Sequence, residues 1–125
     1  MQDEQQYEQL MLQYEQLKNG ALSIAKMIEN EDFDSAITMI KMREAIFLNC
    51  KCMRKYLEFT PEQQVKVDKI FEEIKSIEEN NMQTLEKVMD EVQSELSRTQ
   101  KLQKLQKAYI SQNEDVSGSM VNIEK

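Results

Sequence analysis

The sequence of 125 residues contains no histidine and no tryptophan, and it has only two glycines and one proline. Without histidine, the chain lacks the usual base of Ser-His and Cys-His catalysis and the commonest metal ligand. The scarcity of glycine and proline argues against strand-rich folds, which need many tight turns. No glycine-rich loop for binding phosphate is present either. We therefore expect no enzyme: no catalytic residue, no cofactor and no metal site.

Long hydrophobic runs are also missing. A membrane-spanning helix needs about 18 or more consecutive apolar residues, and no such run exists. The first ten residues, MQDEQQYEQL, lack the basic and apolar regions of a signal peptide. The 16 basic residues are outnumbered by 23 acidic residues, which gives a net charge of -7. Nucleic-acid binders cluster Lys and Arg, so we expect a cytoplasmic chain with no nucleic-acid partner and no membrane insertion.

Two cysteines, Cys50 and Cys52, lie two residues apart in a segment with a helical pattern. A helix points side chains at this spacing in different directions, which makes a mutual disulfide improbable. A Cys-x-Cys pair without histidine or further cysteine also falls short of a tetrahedral metal site. We interpret both as reduced, buried thiols.

What the sequence does contain favours helices. Charged residues make up 31% and hydrophobic residues 40% of the chain, and long unbranched side chains dominate. We predict an all-α fold of one domain: an antiparallel helical hairpin or three-helix bundle with one long C-terminal helix. The predicted helices span about 3–30, 33–58 and 61–110, and a flexible tail covers 111–125.

The first predicted helix carries apolar residues at alternating spacings of three and four, which is typical of a helix that packs along one narrow stripe. The stripe consists of Tyr7, Leu10, Tyr14, Leu17, Ala21, Ile24 and Ile28. Gly20 interrupts this helix at a cost of about 1 kcal/mol relative to alanine. The polar sequence NEDFD then predicts a tight corner, where Asp32 or Asp34 can cap the next helix.

The second predicted helix is apolar on more than one face. Ile37, Ile40 and Phe47 lie on one side. Met39, Met42, Ile46 and Met53 lie on another, and one neighbouring helix cannot cover both sides. The helix should end before Thr60-Pro61-Glu62-Gln63, a sequence typical of a capped helix start with proline in the first turn.

The third predicted helix has a heptad-like apolar seam from Val67 to Tyr109. We expect one continuous helix that bends near Asn80-Asn81, although a break there is the alternative. Asn81 and Thr99 place polar groups on the seam, where such residues can fix the register of packing at some expense of stability. The acidic pairs Glu72-Glu73 and Glu78-Glu79 resemble solvated helix faces.

Nine methionines are the most informative excess, because methionine is over-used where a surface accepts a partner's apolar helix. A plastic core is the alternative interpretation for Met39, Met42 and Met53, and core is the preferred interpretation for Met82 and Met89. The basic, amphipathic sequence LSRTQKLQKLQKAYI is compatible with a partner helix, a membrane-surface helix or part of the seam, and the acidic remainder of the chain argues against the membrane. The candidate partner-binding residues are Met39, Met42, Ile46, Met53, Leu85, Met89, Leu96, Leu102, Leu105 and Tyr109.

Three segments resemble the flagellar type III export chaperones of the FlgN and FliT type. The corner Glu31-Asp32-Phe33-Asp34 followed by Arg43-Glu44 is similar to that family's acidic-aromatic-acidic turn with an arginine in the next helix. The run from Lys101-Leu102 to Ala108-Tyr109 is similar to the family's basic, leucine-containing helix end. Ser117-Gly118-Ser119-Met120 resembles its small-residue tail, although Val121 and Asn122 replace the usual aromatic residue and aspartate.

The resemblance implies a cytosolic chaperone that binds the C-terminal amphipathic helix of a hook-filament junction or filament-cap protein. It would prevent premature polymerisation of that subunit and deliver it to the export apparatus. Within this interpretation, Phe33 anchors the turn and Arg43 makes an inter-helix contact. The helix around Leu96 to Tyr109 would cover the binding groove in the free protein. Two other interpretations stay open: a structural, self-associating coiled coil, with a homodimer as its simplest form, and a regulator that binds another protein.

Overall fold

A computed structural model describes the backbone of residues 2–91 and 96–123 and the side chains of residues 4–91 and 98–113. Within these ranges the chain is an all-α helical bundle, which confirms the predicted fold class. None of its helices is long and apolar enough to cross a membrane, as far as the described residues go. The helices are α1 (Gln2–Glu29), α2 (Phe33–Met42), α3 (Glu44–Tyr56), α4 (Pro61–Glu91) and α5 (Leu96–Ile123).

Helix α1 ends in the predicted corner through backbone hydrogen bonds that satisfy its last carbonyls. Glu31 adopts a left-handed conformation (φ 57°), and its N–H donates to the Ile28 carbonyl at 3.0 Å. The Asp32 N–H donates to the Met27 carbonyl at 2.8 Å, which completes a Schellman motif. The Asp32 side chain then caps α2 by accepting from the Ser35 N–H at 3.4 Å. The predicted corner and cap are therefore confirmed.

Helices α2 and α3 form a nearly continuous segment with a local irregularity at Arg43. Helical hydrogen bonds continue on both sides of that residue, from the Arg43 N–H to the Met39 carbonyl and from the Phe47 N–H to the Arg43 carbonyl, each at 3.1 Å.

The predicted start of the following helix, α4, is also confirmed. The Thr60 hydroxyl accepts from the Gln63 N–H at 3.2 Å, and the Gln63 amide oxygen accepts from the Thr60 N–H at 3.0 Å.

The prediction of one continuous helix over 61–110 was wrong. Helix α4 ends at Glu91, and α5 runs back along it, so that the Tyr109 hydroxyl lies 2.9 Å from the Asn81 amide nitrogen. A straight helix would hold these positions about 42 Å apart. The heptad pattern shows which face is apolar but does not show where the chain reverses. Asn81 lies inside α4, and α5 extends to Ile123, beyond the predicted end at residue 110.

The core consists of two apolar clusters. The first apolar cluster lies beside the α1–α2 corner and combines α1, α2, α4 and α5; its buried members are Ile24, Ile28, Phe33, Ala36, Ile40, Leu85, Leu102, Leu105 and Tyr109. The second apolar cluster combines α1, α3, the α3–α4 connection and α4; its buried members are Leu10, Tyr14, Leu17, Cys50, Leu57, Val67, Ile70 and Ile74. Helix α4 therefore runs parallel to α1, whereas the α2–α3 segment and α5 run antiparallel to both.

The helical position of Gly20 leads to a first prediction. A Cβ atom at this position would lie 3.7 Å from Cδ of Arg43, an ordinary van der Waals contact. Replacing Gly20 by alanine should therefore raise the free energy of unfolding by about 1 kcal/mol, because alanine loses less backbone entropy on entering the helix. Urea unfolding of the Gly20→Ala chain measures this change. Gly20→Leu is the matched variant: it should destabilise the chain, because a larger side chain displaces Arg43.

Candidate partner-binding site

Helix α5 covers an apolar surface formed mainly by α2 and α4. Leu102, Leu105 and Tyr109 are each 0% exposed, and they pack into the first apolar cluster. Their spacing of three and four residues is the one by which an amphipathic helix inserts anchors into a groove. The surface beneath them is apolar, with Phe33 and Ile40 from α2 and Leu85 from α4. We call this surface the α5 groove; the groove and the helix that covers it form the candidate site.

A buried ion pair marks one end of the α5 groove. The Arg43 guanidinium donates to the Glu78 carboxylate at 2.6 Å, and both side chains are only 3% exposed. The guanidinium also lies over the rings of Phe47 and Tyr109, at 5.0 and 5.7 Å from their centroids. A buried pair of this kind costs desolvation and requires further hydrogen bonds to be tolerated. It fixes the relative positions of α2–α3 and α4.

Helix α5 provides part of those further hydrogen bonds. Nε of Arg43 donates to the Gln112 amide oxygen at 2.9 Å, and the Gln112 amide donates to the Ile40 carbonyl at 2.9 Å. The Asn113 amide donates to the second Glu78 oxygen at 3.3 Å. The ion pair is therefore shared by three segments of the chain, and Nη1 of Arg43 is buried without a hydrogen-bond partner among the described residues.

Asn81 and Tyr109 extend this buried polar region. The Asn81 amide donates to the Ala21 carbonyl and to the Tyr109 hydroxyl, both at 2.9 Å. Burial and the neighbouring Glu78 carboxylate raise the pKa of the Tyr109 hydroxyl well above its ordinary value, so that it stays protonated. The predicted position of Asn81 on the buried seam is thereby confirmed. We call the whole set the polar layer; it consists of Arg43, Glu78, Asn81, Tyr109, Gln112 and Asn113.

The start of α5 is tied to the corner by ion pairs at the protein surface. Lys101 pairs with Asp34 at 2.9 Å, and Arg98 pairs with Glu31. Both pairs are substantially exposed, and exposed pairs contribute about 0–1 kcal/mol each. They can orient α5, but its attachment depends mainly on the buried leucines, Tyr109 and the polar layer.

The predicted partner-binding residues fall into three classes. Leu85, Leu102, Leu105 and Tyr109 are core residues here, so they contact a partner only if α5 leaves. Met39, Ile46, Met53 and Met89 are half-buried against the two clusters, as is Met82. Met42 is 68% exposed and available. The side chains of Leu96 and of Ser117–Met120 lie outside the described residues.

Of the two residues assigned through the family resemblance, Phe33 is buried in the first apolar cluster and Arg43 makes the inter-helix contact described above. Two other expectations were wrong. Glu78 is buried, although its pairing with a second acidic residue indicated a solvated face. Cys52 is exposed, whereas Cys50 is buried as expected and its thiol lies 3.4 Å from the Gln13 amide oxygen.

Sequence reasoning missed Glu78 and Gln112, because polar residues become recognisable as a buried network only when their partners are known. The exposed apolar residues Leu48 and Tyr56 on α3 were also missed.

No group of three or more potential metal-ligating His, Cys, Asp or Glu side chains occurs within the described part of the chain. Comparisons with protein-family models, with curated proteins and with solved structures each found no match.

The polar layer leads to a second prediction. Arg43→Met should lower the free energy of unfolding by about 3–5 kcal/mol, because it leaves the Glu78 carboxylate buried without its partner. Adding Glu78→Leu should recover part of that loss, since the double variant buries no unpaired charge. Urea unfolding of both single variants and the double variant measures the coupling. If the loss of unfolding free energy in the double variant equals the sum of the losses in the two single variants, the ion pair is contradicted.

The two thiols lead to a third prediction. Burial raises the pKa of Cys50 from 9.0 to about 12, so the folded state favours its protonated form. The stability contributed by this thiol is complete below pH 9 and is lost as the pH rises towards 12. The unfolding free energy should therefore fall less steeply over this range in Cys50→Ala than in the natural sequence. Equal slopes of the unfolding free energy against pH in the two chains would contradict the burial of the Cys50 thiol.

Labelling provides an independent check on the same thiols. At pH 8 a thiol reagent should modify the exposed Cys52 of the folded chain quickly and Cys50 only after denaturant is added. Cys52→Ser is the matched variant, and its folded form should resist labelling. Fast modification of Cys50 in that variant would show that the second apolar cluster is open.

Proposed function

We propose that this chain is a cytosolic flagellar export chaperone. Its client is the C-terminal amphipathic helix of a hook-filament junction or filament-cap protein. By binding that helix, the chaperone prevents premature polymerisation of the subunit and delivers it to the type III export apparatus. The family resemblance suggests the client class. The α5 groove is the observation that supports a helix-binding function.

The argument from the groove begins with α5 itself. This helix inserts Leu102, Leu105 and Tyr109 into an apolar surface, which is how one helix recognises another in a helix-in-groove complex. A client helix with apolar residues at the same spacing would bury the same surface. The half-buried methionines Met39, Met82 and Met89 border this cluster and can adapt to different client side chains.

The proposal gives α5 the role of an internal competitor. In the free protein α5 occupies the groove, and a client must displace it. The apparent affinity for the client therefore equals the intrinsic affinity of the open groove multiplied by the fraction of molecules in which α5 is undocked. The polar layer makes this exchange specific. Displacing α5 removes Gln112 and Asn113 from the Arg43–Glu78 pair, and a client that offers an amide or hydroxyl there replaces those hydrogen bonds.

A fourth prediction tests this competition in the full chain. Leu105→Ala should weaken the docking of α5 by about 2–5 kcal/mol without changing the groove, because the substitution lies on the displaced helix. Affinity for a C-terminal peptide of a flagellar axial protein should then rise about tenfold or more. Isothermal titration calorimetry measures both affinities. Gln103→Ala, an exposed position of α5, is the matched control and should bind like the natural sequence.

The client is identified by a pull-down from the lysate of the flagellated source, followed by calorimetry with C-terminal peptides of the captured axial proteins. Micromolar or tighter binding supports the chaperone function. Equal peptide affinity in the Leu105→Ala and Gln103→Ala chains contradicts internal competition. Failure of every variant to capture an axial or export protein, together with clean self-assembly, favours a structural coiled-coil protein instead.

A further inference from the structure

The junction between α2 and α3 presents a hydrogen-bond donor to the α5 groove. The three guanidinium nitrogens of Arg43 face three different helices. Nη2 donates to the Glu78 carboxylate on α4 at 2.6 Å, and Nη1 lies beside α1, 3.8 Å from the position that a Cβ at Gly20 would occupy. Nε donates to the Gln112 amide oxygen of α5 at 2.9 Å. Nε is therefore the donor that this buried side chain offers to a helix in the groove.

The same junction presents a hydrogen-bond acceptor. Helix α2 ends at Met42, and the last four carbonyls of a helix have no partner within that helix. The Arg43 N–H takes the Met39 carbonyl, whereas the Ile40 carbonyl accepts from the Gln112 amide nitrogen at 2.9 Å. The irregularity at Arg43 thus leaves one backbone acceptor of α2 available to α5. We call the N–H of Arg43 Nε and the carbonyl of Ile40 the amide clamp.

The amide clamp is complementary to a primary carboxamide. A guanidinium only donates and a carbonyl only accepts, so the oxygen of the Gln112 amide must face Arg43 and its nitrogen must face Ile40. A glutamate of the same length accepts from Arg43 but cannot donate to Ile40, and it adds a negative charge beside Glu78. A methionine of the same length offers neither group. A serine or threonine hydroxyl is attached two bonds nearer to the backbone, which leaves it short of both partners.

Gln112 stands where the apolar pattern of α5 predicts another apolar residue. Leu102, Leu105 and Tyr109 are separated by three and then four residues, and the next step of three leads to Gln112. A polar residue on such a seam fixes the register of packing at some expense of stability. A helix shifted by one turn would place an apolar side chain against the amide clamp and leave two buried polar groups without partners. The clamp therefore reads both the register and the chemistry of the helix in the groove.

We propose that the α5 groove selects a client helix that carries a glutamine at the amide clamp. Because α5 fills the groove in the free chain, its own pattern shows which helix the surface accepts. That pattern has apolar residues at positions 1, 4 and 8 and a glutamine at position 11, counted from Leu102. This inference rests on the proposed function, since it requires a client helix to replace α5. It narrows the client from any amphipathic helix to one with this amide in this register.

A peptide that copies α5 tests the amide clamp without any flagellar protein and provides the fifth prediction. The receptor is the full Leu105→Ala chain, in which the competing α5 is weakened. The probe is a fluorescently labelled peptide of the natural residues 98–113, RTQKLQKLQKAYISQN. Gln112→Glu and Gln112→Met in the peptide should each weaken binding about tenfold or more, because at least one group of the clamp then stays buried without a partner. Fluorescence anisotropy measures the three dissociation constants.

Ser111→Glu is the matched control peptide. Ser111 is exposed and adjacent to Gln112, so this substitution adds the same charge at the same end of the helix without touching the clamp. The control should bind like the natural peptide. Because all four peptides meet the same receptor, any loss of stability in the Leu105→Ala chain affects every titration equally and cancels in the comparison.

Hydrogen exchange of the full chain gives a second readout that needs no peptide. Gln112→Glu in the otherwise natural sequence should loosen α5, so that the α5 amides exchange about tenfold or more faster than in the Ser111→Glu chain. The amides of α1 that lie in the second apolar cluster should keep their protection, which separates release of α5 from global unfolding. Equal exchange of α5 in the two chains would overturn the clamp.

The peptide titrations separate this inference from the proposed function. Equal binding of the natural, Gln112→Glu and Gln112→Met peptides would overturn the amide clamp and leave helix binding in the groove intact. Tighter binding of the Gln112→Glu peptide would also overturn it and would assign the site to a carboxylate. Amide-selective binding without capture of any axial protein would support the clamp and contradict a flagellar client. Failure of the natural peptide to bind the folded Leu105→Ala chain would overturn the clamp and the helix-binding function together.

Discussion

The buried ion pair between Arg43 and Glu78 is the interaction on which the arrangement of helices depends. It joins the irregular junction between α2 and α3 to the middle of α4, and it lies between the two apolar clusters. Apolar packing tolerates sliding of one helix along another, whereas a buried charge must meet its partner at one position. The pair therefore fixes the register of the bundle. Part of its remaining hydrogen-bonding capacity is met by α5 through Gln112 and Asn113, which makes the last helix part of the same constraint.

This dependence connects the fold to the proposed function. The same helix that completes the polar layer also fills the apolar groove with Leu102, Leu105 and Tyr109. A protein that hides its own groove under its own amphipathic helix avoids exposing a large apolar patch, which would favour aggregation. Exchange of α5 for a client helix then conserves most of the buried surface. The difference in free energy between the two states rests on the few polar contacts that a client can or cannot replace.

The sequence predicted those features that depend on local interactions. The corner at Asp32 and the capping box at Thr60-Pro61-Gln63 follow from hydrogen bonds within four or five residues, and the stripe on α1 follows from helical periodicity. The reversal between α4 and α5 was missed because the heptad pattern continues across it without glycine or proline. The burial of Glu78 was missed because its partner lies 35 residues away and its acidic neighbour Glu79 suggested a solvated face. The signal that could have found it is its position seven residues before Leu85 and three before Asn81, on the buried stripe of α4. The burial of Leu102, Leu105 and Tyr109 agrees with the expectation that the helix around Leu96 to Tyr109 covers a groove in the free chain. The list of partner-binding residues, however, did not separate this covering helix from Leu85 in the surface beneath it.

Hydrogen-exchange mass spectrometry on the full chain, with and without a saturating axial-protein peptide, tests most directly whether α5 and a client occupy the same groove. The account predicts that the amides of α5 exchange faster when the peptide is bound, while those of α2 and α4 keep or gain protection. Unchanged protection of α5 in a peptide-saturated sample would contradict the account and would place the client on another surface.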